Sequence, residues 1–299
     1  MAAKAQAVAA TVSHPEKVFW PDDGYTKLDL ANFYREVFPA LQPYIKDRIL
    51  TLERCPDGML GECFYQKQKP LGLPHGTPSK KIATAHGKRA TTEYVVGGSL
   101  ATQLALVNLG CIPVHVCGSR AQYFPKPDWM CVDLDPMSGQ FGDAANACLL
   151  IKEVLDSLDL HGFPKTSGSR GLHIFVPLKI GPSSDEVLAF ATTLAQRLAG
   201  AYPKELTTEH SLSARGNRVY IDVARNGKVQ TVVSPYSVRR RPHAPVSTPL
   251  AWTEVKPSLD PSSFNLGNFH ARLKRADPWS DFFATRQSLK TATARLKKL

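Results

Sequence analysis

The stretch that most constrains this chain is Trp129 to Pro136, WMCVDLDP, an apolar run that closes on two acids separated by one leucine. A short apolar run of this kind reads as a buried strand. Residues two apart in a strand share a face, so Asp133 and Asp135 project side by side while Leu134 points into the opposite layer. Two carboxylates so close repel unless a cation or a shared proton compensates. The bland alternative is a strand end where both acids are solvated or one caps the next helix, since short D-x-D strings are common by chance.

Around this run the chain mixes helices and strands without the even spacing of a doubly wound sheet. Thr26 followed by Asp29 resembles a capping box, and Leu30, Phe33, Tyr34, Val37 and Leu41 then recur at helical spacing as far as Pro43. Strand-like RILTLER (Arg48 to Arg54) and GECFYQK (Gly61 to Lys67) flank a Pro-Asp-Gly turn at Pro56 to Gly58. The Pro-, Gly-, Lys- and His-rich stretch that follows, to about Gly98, reads mostly as loop. Ser99 caps a helix to Asn108, with Gly110 at its end. Then come CIPVHVC and WMCVDLD, a helix from about Gly142 to Leu160, the strand LHIFVPL, a helix over Ser184 to Ala201, a strand pair RVYIDVA and VQTVVSPY, and a last helix from about Trp279. The expected class is α+β.

Lys and Arg number 37 against 26 Asp and Glu, a net charge of +11, which favours a polyanionic partner. The charge is clustered: Phe64 to Arg89 holds six basic residues and no acid, and Ser213 to Arg241 holds seven with Asp222 as its single acid. No apolar stretch is long enough to span a bilayer. The Ala-rich first 12 residues lack a sustained apolar core and read as a disordered tail rather than a signal peptide. The six cysteines, Cys55, Cys63, Cys111, Cys117, Cys131 and Cys148, form no C-x-x-C pair and no zinc-like spacing, so buried free thiols in a reducing cytoplasm are expected.

A third acid, Asp222, stands among apolar residues in VYIDVA, with Arg215, Arg218, Arg225 and Arg239 on either side in sequence. Three carboxylates without clustered Cys or His make an oxygen-rich site that suits Mg²⁺ or Mn²⁺ rather than zinc. Between the acids lies KTSGSRGLHIFVPL, from Lys165 to Leu178. Its Gly168 and Gly171 permit close backbone approach, Ser167 and Ser169 offer hydroxyls, and Arg170 and His173 can meet anionic oxygens. Neither a Walker loop nor a dinucleotide G-x-G-x-x-G is present. Phe64 and Tyr65 lead into the first basic stretch, a pairing that suits stacking on bases, although core packing is the usual fate of strand aromatics.

In order and spacing, DLDP, KTSGSRGLH, and YIDVARN followed by SPYSVR resemble the three motifs of the archaeo-eukaryotic primase superfamily, and more closely the polymerase domain of bacterial ATP-dependent DNA ligase D. The likeness extends to HPEKVFWPDDGYTKLDLANFY, ERCPDGMLGECFYQK, NLGCIPVHV and DPWSDFF. It implies a primase-like core of mixed and antiparallel sheets flanked by helices, one domain over residues 13–299 with two sub-modules around a nucleotide and DNA cleft. It further implies Asp133, Asp135 and Asp222 as catalytic ligands of two Mn²⁺ or Mg²⁺ ions. Ser167, Arg170, His173, Arg215, Arg239 and His115 would bind the nucleotide, Lys17 and Lys27 a DNA 5′-phosphate, and Phe64 and Tyr65 would stack on the template. Departures from the family pattern are Cys117 and Lys80 at usual tryptophan positions, and Arg225 and Gln230 near the third motif.

The expected function is metal-dependent extension of primer 3′-hydroxyls at DNA gaps or double-strand breaks, favouring ribonucleotides over deoxyribonucleotides. The expected partners are gapped, nicked or broken DNA with a 5′-phosphate, with Ku and a DNA ligase as candidates and no membrane. The expected location is cytoplasmic and nucleoid-associated. No K-x-D-G ligase string occurs. Two rivals remain: a two-metal nuclease or phosphoesterase, which needs a similar carboxylate cluster, and a non-catalytic DNA-end binder with vestigial acids.

Overall fold

The computed structural model describes residues 12–83 and 90–298. The tail expected over residues 1–12 lies outside them except for Val12, which is buried. The chain divides into two compact units. One comprises the chain up to Gln122 with Thr231–Ser247 and Phe264–Lys274; the other comprises Tyr123–Gln230, Thr248–Ser263 and the chain from Arg275.

In the first unit, β1 (Val18–Trp20) and β2 (Tyr25–Thr26) form a short hairpin leading into helix α1 (Lys27–Ile45). Thr26 and Asp29 close the capping box expected from the sequence, a device that stabilises a helix by about 1 kcal/mol. Leu30, Phe33, Tyr34, Val37 and Leu41 are the buried stripe, and the helix continues through Pro43 to Ile45. β3 (Arg48–Arg54) pairs antiparallel with β4 (Phe64–Gln66). The turn between them brings Cys55 against Cys63, and the two are joined as a disulfide, where free thiols were expected. The other four cysteines are buried free thiols, as read, and burial pushes Cys111 up to about 12.

The stretch read as loop contains instead a hairpin of β5 (Ser79–Ala83) and β6 (Thr91–Val95), whose connecting residues 84–89, with Lys88 and Arg89, are not described. Its strands carry exposed Lys and Thr and little apolar alternation, so the period-2 signal is faint. Ser99 caps α2 (Leu100–Asn108), which packs on α1. β7 (Cys111–Arg120) then lies beside β3.

The second unit begins its sheet with β8 (Trp129–Pro136), followed by α3 (Phe141–Ser157), β9 (Phe163–Thr166), β10 (Leu172–Pro177), α4 (Ser184–Ala201), β11 (Leu206–Thr207), α5 (Leu212–Arg215) and β12 (Val219–Asp222). The strand order is β11-β12-β8-β10-β9, antiparallel except for β11 against β12. Val132, Leu134 and Ile174 are fully buried, and Ile174 and Leu155 of α3 both crowd Gly162, so the helices cover the face opposite Asp133. Farther along the Asp133 face, Trp129, Phe163, Phe175, Trp279 and Phe282 form an aromatic cluster with ring centroids 5.0 to 6.5 Å apart.

RVYIDVA and VQTVVSPY do not pair with each other. The first is β12; the second supplies β13 (Thr231–Val233), which pairs with β7 in the first unit's sheet, of order β13-β7-β3-β4. Nor does the last helix start at Trp279: α6 (Phe269–Leu273) precedes it, Trp279 sits in a turn packed on the aromatic cluster, and the closing helix α7 spans Leu289–Leu296. Among the described residues, no helix is long and apolar enough to cross a membrane.

Gly171 sits where β10 meets β8, and a Cβ there would stand 2.2 Å from the Leu134 carbonyl oxygen. Gly171→Ala should therefore cost at least about 2 kcal/mol in urea denaturation, whereas Gly181→Ala, which meets nothing within 4 Å, should stay within about 0.5 kcal/mol.

Candidate active site

Register builds the carboxylate site of the second unit. Asp133 on β8 lies opposite Asp222 on β12 and His173 on β10, and His173 lies opposite Lys165 on β9. Cross-strand partners share a face, so Asp222, Asp133, His173 and Lys165 form one row across four strands. His173 Nε2 stands 3.1 Å from Asp133 Oδ1, and both side chains are largely buried. Asp135, two residues along β8 and opposite Tyr220, is the exposed member.

The electrostatics separate the two acids of the D-x-D string. Burial pushes the Asp133 carboxyl up, but the charge and hydrogen bond of His173, with Arg225 and Lys165, outweigh it and hold the pKa below the usual range. Asp135 is pushed up to about 7, first by its desolvating surroundings and then by the charges of Asp133 and Asp222. Since that side chain still reaches solvent, it marks a place where negative charge accumulates and a cation is favoured.

Asp222 is engaged locally. Its Oδ1 accepts the Ala224 N–H at 2.8 Å, and its Oδ2 lies 3.3 Å from Arg225 Nε. Next in the chain, the Asn226 side chain clamps β8 through both backbone groups of Cys131, accepting its N–H at 2.8 Å and donating to its carbonyl at 2.7 Å. Asn226 thereby sets the end of β12 against β8. It was missed in the sequence, where only its polarity inside an otherwise apolar and basic segment hinted at a role.

Three carboxylates are the donor chemistry of a hard divalent cation. As folded, an Asp133 oxygen faces His173 and the Asp222 oxygens face Arg225 and the Ala224 N–H, and among the described residues no group of three His, Cys, Asp or Glu side chains is gathered to hold an ion. The donor set fits a divalent metal in type and charge.

The glycine-rich segment wraps the same edge. Ser167 is buried, and its Oγ accepts the N–H groups of Ser169 and Gly171 at 3.2 Å, so this hydroxyl shapes the loop. Arg170 is exposed, its guanidinium near Gly139. Arg215 stacks on Tyr220, 3.6 Å above the ring, donates to the Glu209 and His210 carbonyls, and lowers the Asp135 pKa. His173, Arg215 and the three acids thus belong to one locality of the second unit.

The remaining predicted residues belong to the first unit. Thr51 on β3 lies opposite His115 on β7, and Glu53 lies opposite Tyr65 on β4. Glu53 is buried, with Oε2 3.4 Å from His115 Nε2 and 3.3 Å from the Tyr65 hydroxyl, and Oε1 2.8 Å from Arg240 Nε. Burial raises its pKa, but His115 and Arg240 overcome this and lower it to about 2. Neither Glu53 nor Arg240 was singled out from the sequence, although an acid in phase with Thr51 on an apolar strand is the available signal. Arg239 is half-buried, and its charge is felt by Tyr65 and Tyr34. It follows a turn in which buried Tyr236 takes φ +64°, a sparsely populated conformation for a non-glycine residue. Phe64 and Tyr65 are exposed.

Lys27 is buried at the start of α1, donating to the Ser13 carbonyl at 2.9 Å and Asn108 Oδ1 at 3.1 Å. Burial, then the nearby charge of Lys17, lowers its pKa. Lys17 itself contacts Asp57. The two lysines are near enough for the charge of Lys17 to act on Lys27, whereas Phe64 and Tyr65 lie on β4.

The family model for the LigD primase-polymerase domain matches residues 26–279. The multifunctional non-homologous end joining protein LigD of Pseudomonas aeruginosa is 31% identical over 98% of this chain, and that of Mycolicibacterium smegmatis 32% over 91%. The bifunctional LigD of Bacillus subtilis is 30% identical over 91% of the chain. The chain spans 35%, 35% and 44% of these relatives' lengths. Among solved structures, the polymerase domain of Mycobacterium tuberculosis ligase D in complex with DNA superposes with a TM-score of 0.85 and 28% identity, covering 92% of this chain and 98% of that one. With its mixed helices and antiparallel sheets, its row of acids and this match along most of its length, the chain belongs to the LigD primase-polymerase domain family.

Proposed function

We propose that this chain is a template-directed nucleotidyltransferase that extends primer 3′-hydroxyls at DNA gaps or broken ends, prefers ribonucleotides, depends on divalent metal and recognises a downstream 5′-phosphate. The observation that carries the reading is the register row that sets Asp222 beside Asp133, with Asp135 next on the same face and its pKa pushed up to about 7 by surroundings that include both other acids. The family adds support, as does the end-joining role in the relatives' names. In this reading Ku and a DNA ligase activity are the natural collaborators, since an extended end still has to be held and sealed.

Asp133, Asp135 and Asp222 would hold two Mn²⁺ or Mg²⁺ ions. Bound there, the ions supply the charge neutralisation and hydroxyl activation of phosphoryl transfer. His173 holds the Asp133 carboxylate in one orientation through its 3.1 Å contact. Arg215, held over the Tyr220 ring and linked to two carbonyls, presents a cation beside Asp135 without a large loss of side-chain freedom. Arg170 and Arg239 would meet triphosphate oxygens, His115 the ribose, and Ser167 would keep the glycine loop in shape for them. Lys27, whose ammonium is already oriented by Ser13 and Asn108, and Lys17 would receive the 5′-phosphate. Phe64 and Tyr65 would offer exposed rings to template bases.

Asp133→Ala and Asp135→Ala should each abolish primer extension in Mn²⁺ or Mg²⁺ while DNA binding, followed by fluorescence anisotropy, is retained. Extension by either variant would reject the site. In the wild type, shortening of a labelled primer without nucleoside triphosphates would favour a nuclease, and binding without extension under any metal would favour an end binder.

Lys17→Glu and Lys27→Gln should each weaken binding to a 5′-phosphorylated gap about tenfold, the worth of a charge-assisted hydrogen bond, and leave a 5′-hydroxyl gap nearly unaffected. A preference for the phosphate that survives both changes would remove these lysines from the DNA contact.

A further inference from the structure

Within the first unit, Glu53 makes contacts that none of the roles above require. It is an acid on a strand that would otherwise read as apolar and basic, and it is 5% exposed. An uncompensated buried carboxylate would be strongly unfavourable. Here Oε1 takes Arg240 Nε at 2.8 Å, while Oε2 faces both His115 Nε2 at 3.4 Å and the Tyr65 hydroxyl at 3.3 Å. The Tyr65 ring meets the imidazole edge-on, centroids 5.9 Å apart at 75°. Arg240 also reaches the Met59 carbonyl at 3.4 Å, tying the group to the turn before β4. Three strands and the segment after β13 therefore converge on one carboxylate.

We infer that Glu53 is a positioning residue that couples Tyr65, the template-side ring, to His115, the nucleotide-side imidazole. The inference rests on the roles proposed above for Tyr65 and His115. One oxygen serves both partners, so neither can move without changing the other's electrostatic environment. A base stacked on Tyr65 holds the ring, the hydroxyl then keeps its place on Oε2, and the imidazole is held at a fixed angle for the incoming nucleotide. The device makes nucleotide affinity sensitive to the presence of a template.

Among the described residues, Glu53 from β3 and the Tyr65 ring from β4 face the imidazole, and Arg240, with Arg239 felt by Tyr65, comes from the segment after β13. Glu53 has its pKa lowered to about 2, so it stays anionic at every pH at which the protein would be assayed.

The test compares wild type, Glu53→Gln, Tyr65→Phe and the double variant of the full chain on a gapped primer-template with Mn²⁺ and ATP. Glu53→Gln should raise the KM for ATP about tenfold with kcat little changed, the signature of lost ground-state positioning. Tyr65→Phe, which keeps the stacking ring, should raise KM in the same direction with template affinity unaltered. The double variant should be no worse than Glu53→Gln. NMR titration of the His115 imidazole without nucleotide should show its midpoint falling in Glu53→Gln.

An unchanged KM in Glu53→Gln, effects that simply multiply in the double variant, or an unmoved His115 midpoint would each overturn the coupling. If Glu53→Gln does not fold, Tyr65→Phe decides alone: a raised KM with unaltered template affinity supports the coupling, and an unchanged KM overturns it. If wild type extends no primer, the polymerase reading fails; the His115 titration and ATP-induced shifts of its resonance, with and without template, still decide whether Glu53 links the two rings.

Discussion

The pairing of His173 with Asp133 is the interaction on which the arrangement of the second unit's acids depends. Placing a carboxylate in the middle of a sheet carries a desolvation cost, and an adjacent imidazole with more distant cations returns enough of it for Asp133 to stay ionised. For Asp135, two residues on, Arg225 and Arg215 do not offset burial and the two other acids, and its pKa is pushed up to about 7. One strand thereby presents a carboxylate held below the usual range next to one pushed above it. That asymmetry is what a site needs if it is to bind a cation strongly only when substrate phosphates arrive with it. Glu53 repeats the first half of this logic in the other unit, where its charge is fully answered and its role becomes one of arrangement.

Much of this was legible in the sequence because it rests on local rules. Strand alternation in WMCVDLDP placed Asp133 and Asp135 together, and Thr26 with Asp29 and Ser99 announced the starts of two helices. What could not be read locally was register between distant strands. Asp222 was a candidate by composition, but only pairing of β12 with β8 sets it opposite Asp133. The same gap hid Glu53 and Asn226, whose distant partners lie 62 and 187 residues away in one case and 95 in the other. Where turn chemistry was misread the reason is also physical. VQTVVSPY follows β12 closely and looks like its hairpin mate, yet Asn226 fastens the intervening turn to β8 and β13 pairs with β7 instead.

The basic stretches proved to be heterogeneous. Arg225 answers Asp222, Arg240 answers Glu53, and Arg215 sits over the Tyr220 ring, so several charges that suggested a nucleic-acid surface also hold acids and rings in place. This dual use is compatible with a polyanionic substrate, since a cation shared with a carboxylate can be drawn toward a phosphate without first being desolvated.

The interleaving of the two units has a consequence for how the chain is made. β7 is synthesised well before β13, and all of residues 123–230 emerge between them. Until then one edge of β7 lacks its native neighbour, an exposed strand edge of the kind that invites wrong pairing. The first unit cannot complete its sheet on the ribosome before the second unit's sheet strands have been released. A circular permutant opened between Gln230 and Thr231 would place β13 ahead of β7 and residues 123–230 after both, and the change in aggregation during refolding would report how much that waiting period matters.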